Sequence, residues 1–290
     1  MQNSLYNSPT LLKQVLSEHN LSMQKKFGQN FLIDENIRRK LCAQLDLDRT
    51  KSIWEIGPGL GSMTELLLQT DAELTAFEID RGFIKFLHEA FDGKKNFTLI
   101  EGDVLKTWRM QGEKKVPDYF FGNLPYNIAA TLILDTIEAG VIFPEMLITV
   151  QKEVAERFAA HCGSDYSIAS VLVQAYYRVE TVQTIAPSAF WPAPNVASKA
   201  ISLKRFDTYS TQIAGREKLF FSLVKGLFFA RRKTLKNNFQ KWLQVNQFDP
   251  QLLERVLPPE WQTKRAETLT VQDFVDLLNR LPAAEKLHKQ

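Results

Sequence analysis

From Ser52 onward the chain alternates short apolar runs with longer amphipathic stretches. The runs cover 52–56, 74–77, 98–100, 119–121 and 146–150, then 179–185 and 200–203. Each is rich in Ile, Val, Phe or Thr, as strands buried between helix layers are. Between them, apolar positions recur at helical spacing over 62–69, 81–91, 128–139, 151–160 and 168–177. This alternation predicts a doubly wound α/β sheet. After Phe206 the strand signal stops, and 218–230, 231–245, 250–256 and 271–281 all read as helices. The pattern therefore predicts an α/β domain over 23–205 and a smaller all-helical domain over 206–290. Residues 1–22, with one possible helix at 11–18, read as a peripheral N-terminal extension.

Composition narrows the class. Of 290 residues, 44% are hydrophobic and 24% charged, which suits folded cores rather than disorder. No apolar run approaches the roughly 20 residues of a membrane span. The opening MQNSLYNSPT lacks a basic stretch followed by an apolar one, so no secretory signal is expected. Two cysteines, Cys42 and Cys162, and four scattered histidines show neither a disulfide framework nor metal-ligand spacing. These features suggest a cytoplasmic protein needing neither disulfide nor metal.

Net charge is +3, but residues 206–290 carry 14 Lys/Arg against 9 Asp/Glu, and the remainder is slightly acidic. The densest cluster is Arg231, Arg232, Lys233 and Lys236, with Phe228, Phe229 and Phe239 around it. Lys25 and Lys26 form a second. Clustered cations suit a polyanion such as RNA, because each neutralised phosphate releases counterions; a solvated helix face would look the same.

Between the first run and the next helix lies Glu55-Ile56-Gly57-Pro58-Gly59-Leu60-Gly61. Glycines at alternate positions permit a tight turn and close approach of a ligand to the backbone. The dinucleotide fingerprint would place its third glycine at Ser62. Instead, Glu55 beside the loop suits a ligand with a cationic or neutral tail. Glu78 ends the second run, 21 residues after Gly57, where a carboxylate can accept ribose hydroxyls. Asp103, after the third run, can accept from an adenine amino group. Alone, each acid reads equally as a solvated loop residue; in register they outline an adenosine pocket, which resembles the S-adenosylmethionine site of class I (Rossmann-like) methyltransferases.

After the fourth run comes Gly122-Asn123-Leu124-Pro125-Tyr126-Asn127. As a bare pattern it is a turn. Its sharper reading is chemical: the Asn123 amide oxygen and a carbonyl of the turn accept hydrogen bonds from an exocyclic NH₂, while Tyr126 stacks on the base. The motif resembles that of enzymes methylating amino nitrogens of nucleobases. An adenine N6 is a poor nucleophile, and two acceptors would localise its lone pair toward the methyl. Positioning and oriented dipoles then supply most of the rate enhancement, without a catalytic His or Cys.

These motifs, with Lys26–Asp34 (KFGQNFLID), Gln151–Val154, Pro187–Phe190 and Arg231–Asn238 (RRKTLKNN), are similar in order and spacing to the KsgA (RsmA) rRNA adenine dimethyltransferases. Resemblance spans about residues 23–240. It implies dimethylation of N6 of two adjacent adenosines near the 3′ end of 16S rRNA in the small ribosomal subunit, with S-adenosylmethionine as donor. It implies cofactor contacts at Asn30, Leu32, Gly57, Gly59, Glu78, Asp103 and Asn123. The target adenine is expected against Asn123, Leu124, Pro125 and Tyr126, with Phe190 over its other face. RNA contacts are expected at Lys25, Lys26, Arg231, Arg232, Lys233 and Lys236, and a monomer suits access to a large particle. Two departures stand out: Ala193 and Asn195 replace a proline and a lysine of the family pattern. The related Erm methyltransferases of large-subunit rRNA are an alternative, favoured less by RRKTLKNN and GQNFL. A non-catalytic RNA-binding assembly factor on the same fold is another.

Overall fold

In the computed structural model, which describes residues 5–23, 29–112, 115–124 and 128–282, each of the seven apolar runs becomes a strand. A short antiparallel pair joins β1 (Phe31–Leu32) to β8 (Phe190–Trp191). The main sheet contains β2 (Ser52–Ile56), β3 (Glu73–Glu78), β4 (Phe97–Glu101), β5 (Tyr119–Asn123), β6 (Glu145–Gln151), β7 (Tyr177–Ile185) and β9 (Ser198–Arg205). Its order is β4-β3-β2-β5-β6-β9-β7. The pairs among β2 to β6 are parallel, and β9 runs antiparallel to β6.

Parallel neighbours require crossovers, and helices α3 (Thr64–Leu68), α4 (Arg81–Ala90), α5 (Val104–Gly112) and α6 (Ala129–Glu138) follow β2, β3, β4 and β5 in turn, with α7 (Lys152–Ala159) after β6. In α4, the Asp80 side chain caps the start by accepting from the Gly82 and Phe83 N–H groups, and Phe83, Ile84, Phe86 and Leu87 are buried. Successive strands step from β2 to β3 to β4, and the chain then returns to β5 on the other side of β2. That reversal leaves a crevice at the C-terminal ends of β2 and β5, where open α/β sheets bind ligands.

By its internal contacts the chain forms two compact units. The first comprises Met1–Leu132, Val141–Ala155 and Glu180–Lys204; the second comprises Ile133–Gly140, Glu156–Val179 and Arg205–Gln290. Residues 133–140 and 156–179 thus group with the helical C-terminal segment. The core of the first unit is built from Ile53, Leu74, Phe121 and Leu147, all essentially inaccessible.

The N-terminal segment is not peripheral. A one-turn helix at Leu5–Asn7 and α1 (Pro9–Glu18) bury Tyr6, Leu12 and Leu16 in a cluster with Phe31, Leu60, Phe83 and Phe86. Leu12 and Leu16 lie one turn apart, so a single helix face carries them. The sequence pattern also missed α2 (Glu35–Cys42), whose N-cap Asp34 accepts from the Ile37 N–H.

In the second unit, α8 (Ile168–Gln174), α9 (Asp207–Ile213), α10 (Glu217–Leu227), α11 (Leu235–Val245), α12 (Leu252–Val256) and α13 (Val271–Arg280) pack around Phe220, Phe239 and Phe274. The helix expected from 231 starts only at Leu235, capped by Thr234, because 228–233 form turns. Close packing of α10 on α11 depends on Gly226. A Cβ there would lie 2.2 Å from Cδ1 of Trp242, which is 4% exposed and fixed by its Nε1–H bond to Ser222.

Alanine at 226 would gain up to about 1 kcal/mol of helix propensity. Overpacking a rigid core costs roughly 1–3 kcal/mol, so the clash wins. Gly226→Ala is expected to destabilise the protein by about 1–2 kcal/mol, measured by denaturant titration. A midpoint at or above that of the parent would contradict this packing account.

Candidate functional site

The crevice between β2 and β5 opens into a cavity of about 320 Å³ in the first unit. Asn30 and Leu32 line it from the β1 segment, Gly57 and Gly59 from the loop after β2, and Glu78, Asp103 and Asn123 from the ends of β3, β4 and β5. The structure thus brings together all seven residues expected to contact a cofactor. Their convergence follows from strand order, since each acid or amide sits at the same end of a parallel strand.

The glycines have different roles. Gly57 has φ +69°, and a Cβ added there would meet nothing within 4 Å, so its α-carbon faces the open cavity. At Gly59 the Phe31 ring would be 2.9 Å from such a Cβ, and the Gly59 N–H donates to Glu78 Oε2 at 3.0 Å. Glu78 Oε1 accepts from the Ile79 and Asp80 N–H groups, each at 2.9 Å. Three donors therefore fix this carboxylate. A two-lone-pair count per oxygen leaves one acceptor position for a ligand. Burial is the dominant influence on Glu78 and pushes its pKa up to about 7 against those hydrogen bonds. Glu55, which accepts from Thr64 Oγ1 at 2.7 Å, is pushed up to about 8, mainly by burial and further by the like charge of Glu78.

Asp103 stands before α5, with Oδ1 accepting from the Leu105 N–H at 3.0 Å. Its other carboxylate oxygen has no protein partner among the described residues, leaving it available to a donor. Ile79, 41% exposed although large and apolar, lines the same space with Val104 and Leu105. These apolar positions suit the faces of a planar ring and were not singled out from the sequence, where they look like ordinary strand-end neighbours.

Asn123 Nδ2 donates to the Asn30 carbonyl at 2.9 Å. A carbonyl can only accept, so this bond fixes the amide's orientation and leaves Oδ1 as an acceptor. Leu124 is 2% exposed, with its side chain against Gly122 and its N–H donated to the Thr149 carbonyl. Pro125, Tyr126, Lys25 and Lys26 lie outside the described residues.

Phe190, expected to cover the target base, is 4% exposed and packs in the core cluster with Ala189 and with Leu32, which also lines the cavity. It pairs with Leu32 in the short β1–β8 sheet. The partly accessible ring is the next residue, Trp191, stacked on Phe31.

The N-terminal segment braces the glycine loop from behind. Tyr6 Oη donates to the Leu60 carbonyl at 2.8 Å, and the buried Arg38 donates Nη1 to the Ser62 carbonyl at 2.9 Å. Asn7 links Arg38 to Glu35, and the Arg38 guanidinium lies 5.7 Å from the Tyr6 ring centre. No motif reading of residues 1–22 could show this, because the partners are backbone carbonyls.

The expected RNA-contacting cations separate into two groups. Arg231 donates to the Ser164 and Tyr166 carbonyls and pairs with Glu267 at 3.2 Å. Lys236 bonds Gln262 and approaches Glu254. Arg232 and Lys233 are exposed and make no ion pair among the described residues. Also among the described residues, no group of three or more acidic, His or Cys side chains is arranged to hold a metal, and no helix is long and apolar enough to cross a membrane.

A family model described as "Ribosomal RNA adenine dimethylase" matches residues 20–281. A Treponema denticola protein named "Ribosomal RNA small subunit methyltransferase A" is 48% identical over 279 residues, covering 93% of each chain. The Treponema pallidum protein of that name is 42% identical, over 96% of this chain and 98% of its own. Among solved structures, a dimethyladenosine transferase from Plasmodium falciparum superposes with TM-score 0.70 at 25% identity, covering 85% of this chain and 95% of that one. The 23S rRNA methyltransferase ErmE has TM-score 0.60 at 19% identity, over 86% and 98%, and shares the fold.

Two expectations follow from this geometry. Gly57→Ala places a methyl group in the cavity at a cost of about 1–2 kcal/mol for the left-handed backbone. The variant should fold but bind S-adenosylmethionine at least tenfold more weakly by calorimetry; unchanged affinity would remove Gly57 from the ligand surface. The second concerns pH. Glu55 and Glu78 have raised pKa values, so the folded chain holds protons that the unfolded chain releases above about 4.5. Their contribution to stability is fully present at low pH and is lost as pH rises through 7 to 8. A cationic ligand favours both carboxylates, so S-adenosylmethionine affinity should rise from pH 6 to pH 8.5 with proton release. Flat affinity with no buffer-dependent heat would refute the coupling.

Proposed function

The chain belongs to the ribosomal RNA adenine dimethylase family, and we propose that it dimethylates N6 of two adjacent adenosines near the 3′ end of 16S rRNA within the small ribosomal subunit. It is an rRNA methyltransferase. The observation that carries the proposed chemistry is the oriented Asn123 amide, held by Asn30 at the edge of a cavity that Glu78 and Asp103 also line.

The cavity fits S-adenosylmethionine by its donor set. Gly57 offers backbone without a side chain, Glu78 one acceptor for a ribose hydroxyl, and Asp103 a free carboxylate oxygen for an adenine amino group. Ile79, Val104 and Leu105 supply apolar contact, and Glu55 and Glu78 favour positive charge once ionised. When bound, the cofactor supplies an electrophilic methyl group on a sulfonium.

Asn123 Oδ1 and the Leu124 carbonyl then act as the two acceptors for the target amino group. In the first transfer, holding both N–H bonds turns the nitrogen lone pair out of conjugation and toward the methyl carbon; in the second, the one remaining N–H is held by a single acceptor. The N–C bond forms as the S–C bond breaks, and the proton lost from nitrogen passes to water. Because charge is dispersed as the bonds change, alignment and fixed dipoles account for the rate without a strong base. A neutral amide also avoids competing with the amino nitrogen for the sulfonium, as a carboxylate at 123 would.

Arg232 and Lys233 are the cations free to meet phosphates, and the 206–290 domain is the part proposed to contact RNA, with Lys25 and Lys26 contributing from the N-terminal side. Arg231 and Lys236 serve to hold that surface together. The enzyme is proposed to work as a cytoplasmic monomer. Small-subunit naming of the relatives at 48% and 42% identity favours 16S over 23S rRNA as substrate.

The direct test supplies tritiated S-adenosylmethionine and small subunits lacking the modification, followed by nucleoside analysis. Label is expected in N6,N6-dimethyladenosine; label only with large-subunit particles would move the substrate to 23S rRNA. Asn123→Ala should cut kcat by about 10²-fold or more, with cofactor affinity changed by less. Methylation at the parent rate would sink the amino-group mechanism.

A further inference from the structure

Three phenylalanines surround the basic cluster, and the structure gives them different environments. Phe228 is buried and stacked on Phe274; Phe239 is buried and stacked on Trp242. Phe229 is 68% exposed. Lys241, one α11 residue from Trp242, places its ammonium 3.9 Å from the Phe229 ring centre. Leaving a ring of this size in water forgoes most of its burial energy, so its environment requires an explanation.

The ring is exposed but firmly mounted. Asn238, 4% exposed, donates Nδ2 to the Leu227 carbonyl at 2.8 Å and to the Ala230 carbonyl at 3.1 Å, clamping the turn on both sides of Phe229. The Ala230 carbonyl also accepts from the Lys233 N–H at 2.8 Å. Buried Phe228 anchors the preceding residue, and Arg231 is tied to Ser164, Tyr166 and Glu267. Gly226 allows α10 and α11 to approach closely enough to bring Phe229 beside Lys241. Such a surface has little conformational entropy left to give up when a ligand settles on it.

Lys241 stands against the Phe229 ring, and Arg232 and Lys233 follow Phe229 three and four residues along the chain; all three are exposed, with no acidic ion-pair partner among the described residues. An exposed aromatic ring with unpaired cations against it and close by in sequence matches an unstacked nucleotide: the ring takes the base and the cations take flanking phosphates. We propose that Phe229 is a stacking platform for an unpaired nucleotide of the rRNA, distinct from the adenosines that are methylated. This rests on the rRNA-methyltransferase reading and adds recognition of a base to a surface otherwise defined by charge alone.

The test separates stacking from charge. Affinity for small subunits lacking the modification is titrated against salt for the parent, Phe229→Ala, Phe229→Trp, and Arg232→Ala with Lys233→Ala. Phe229→Ala should weaken binding by roughly 5- to 150-fold while the slope of log affinity against log salt stays unchanged. Phe229→Trp should restore affinity. The double cation variant should flatten the slope by about 0.7 to 0.9 for each phosphate it no longer neutralises. A flattened slope in Phe229→Ala would mean that the ring merely positions Lys241, overturning the platform. Unchanged affinity would overturn it too.

A photo-crosslinking residue, Phe229→p-benzoylphenylalanine, identifies the partner on the particle. An rRNA adduct supports stacking on a nucleotide; an adduct to a ribosomal protein, or none, refutes it. Failure of the parent to bind small subunits at all would instead bring down the 16S reading itself, and this inference with it. Melting temperature and S-adenosylmethionine affinity should stay at parent values in Phe229→Ala, because the ring is on the surface of the second unit.

Discussion

The buried carboxylate of Glu78 is the interaction on which the site depends. It collects N–H groups from Gly59 in the loop after β2 and from Ile79 and Asp80 at the end of β3. One side chain thereby fixes the glycine loop against the neighbouring strand end. Burying an anion is costly unless its lone pairs are satisfied, and three backbone donors meet most of that requirement while leaving room for one ligand hydrogen bond. Strand order makes this possible: parallel β2 and β3 place both segments at the same end of the sheet. The return to β5 adds Asn123, whose side-chain amide donates a hydrogen bond to the Asn30 carbonyl and so draws in the segment before β1.

Legibility of the fold followed in part from burial. The mostly buried β2, β5 and β6 are continuous apolar runs, while β4 and β7 are largely accessible and are marked by their Ile, Val, Phe and Thr residues. The observed strands extend the expected ones by at most two residues at either end. Helix α2 escaped because half of ENIRRKLC is charged and one of its two buried residues, Arg38, is itself a charged residue. The brace formed by Tyr6 and Arg38 was beyond sequence reasoning for a different reason. A hydroxyl and a guanidinium bonded to carbonyls of Leu60 and Ser62 leave no side-chain pattern, since every residue presents a backbone carbonyl.

The site was more legible than its details. Spacing alone placed Gly57, Glu78, Asp103 and Asn123 at strand ends, and parallel topology did the rest. The packing of Phe190 with Leu32 and Ala189 was not accessible, because it depends on the β1–β8 pairing, and two-residue strands leave no alternating pattern to read. Neighbouring cations show the same limit. Arg231 and Arg232 are adjacent in a uniformly basic stretch, yet one is committed to two carbonyls and Glu267 while the other makes no ion pair among the described residues. Charge counts describe a surface; hydrogen bonds determine which cations remain to act on a ligand.

The two halves of the proposed chemistry place opposite demands on electrostatics. Cofactor binding is helped by carboxylates, and Glu55 and Glu78 supply them where burial keeps them partly protonated until a positive ligand arrives. Transfer itself is better served by neutral acceptors near the reacting nitrogen. A full negative charge there would stabilise the sulfonium ground state, which disappears as the reaction proceeds, and would raise the barrier. In the proposed reaction the two functions are kept apart: the acids belong to the ends of β2, β3 and β4, and the amide and carbonyl acceptors to the end of β5. The topological switch between β2 and β5 is therefore more than a place for a crevice. It allows charged binding groups and neutral reacting groups to sit on adjacent strands without sharing the same atoms.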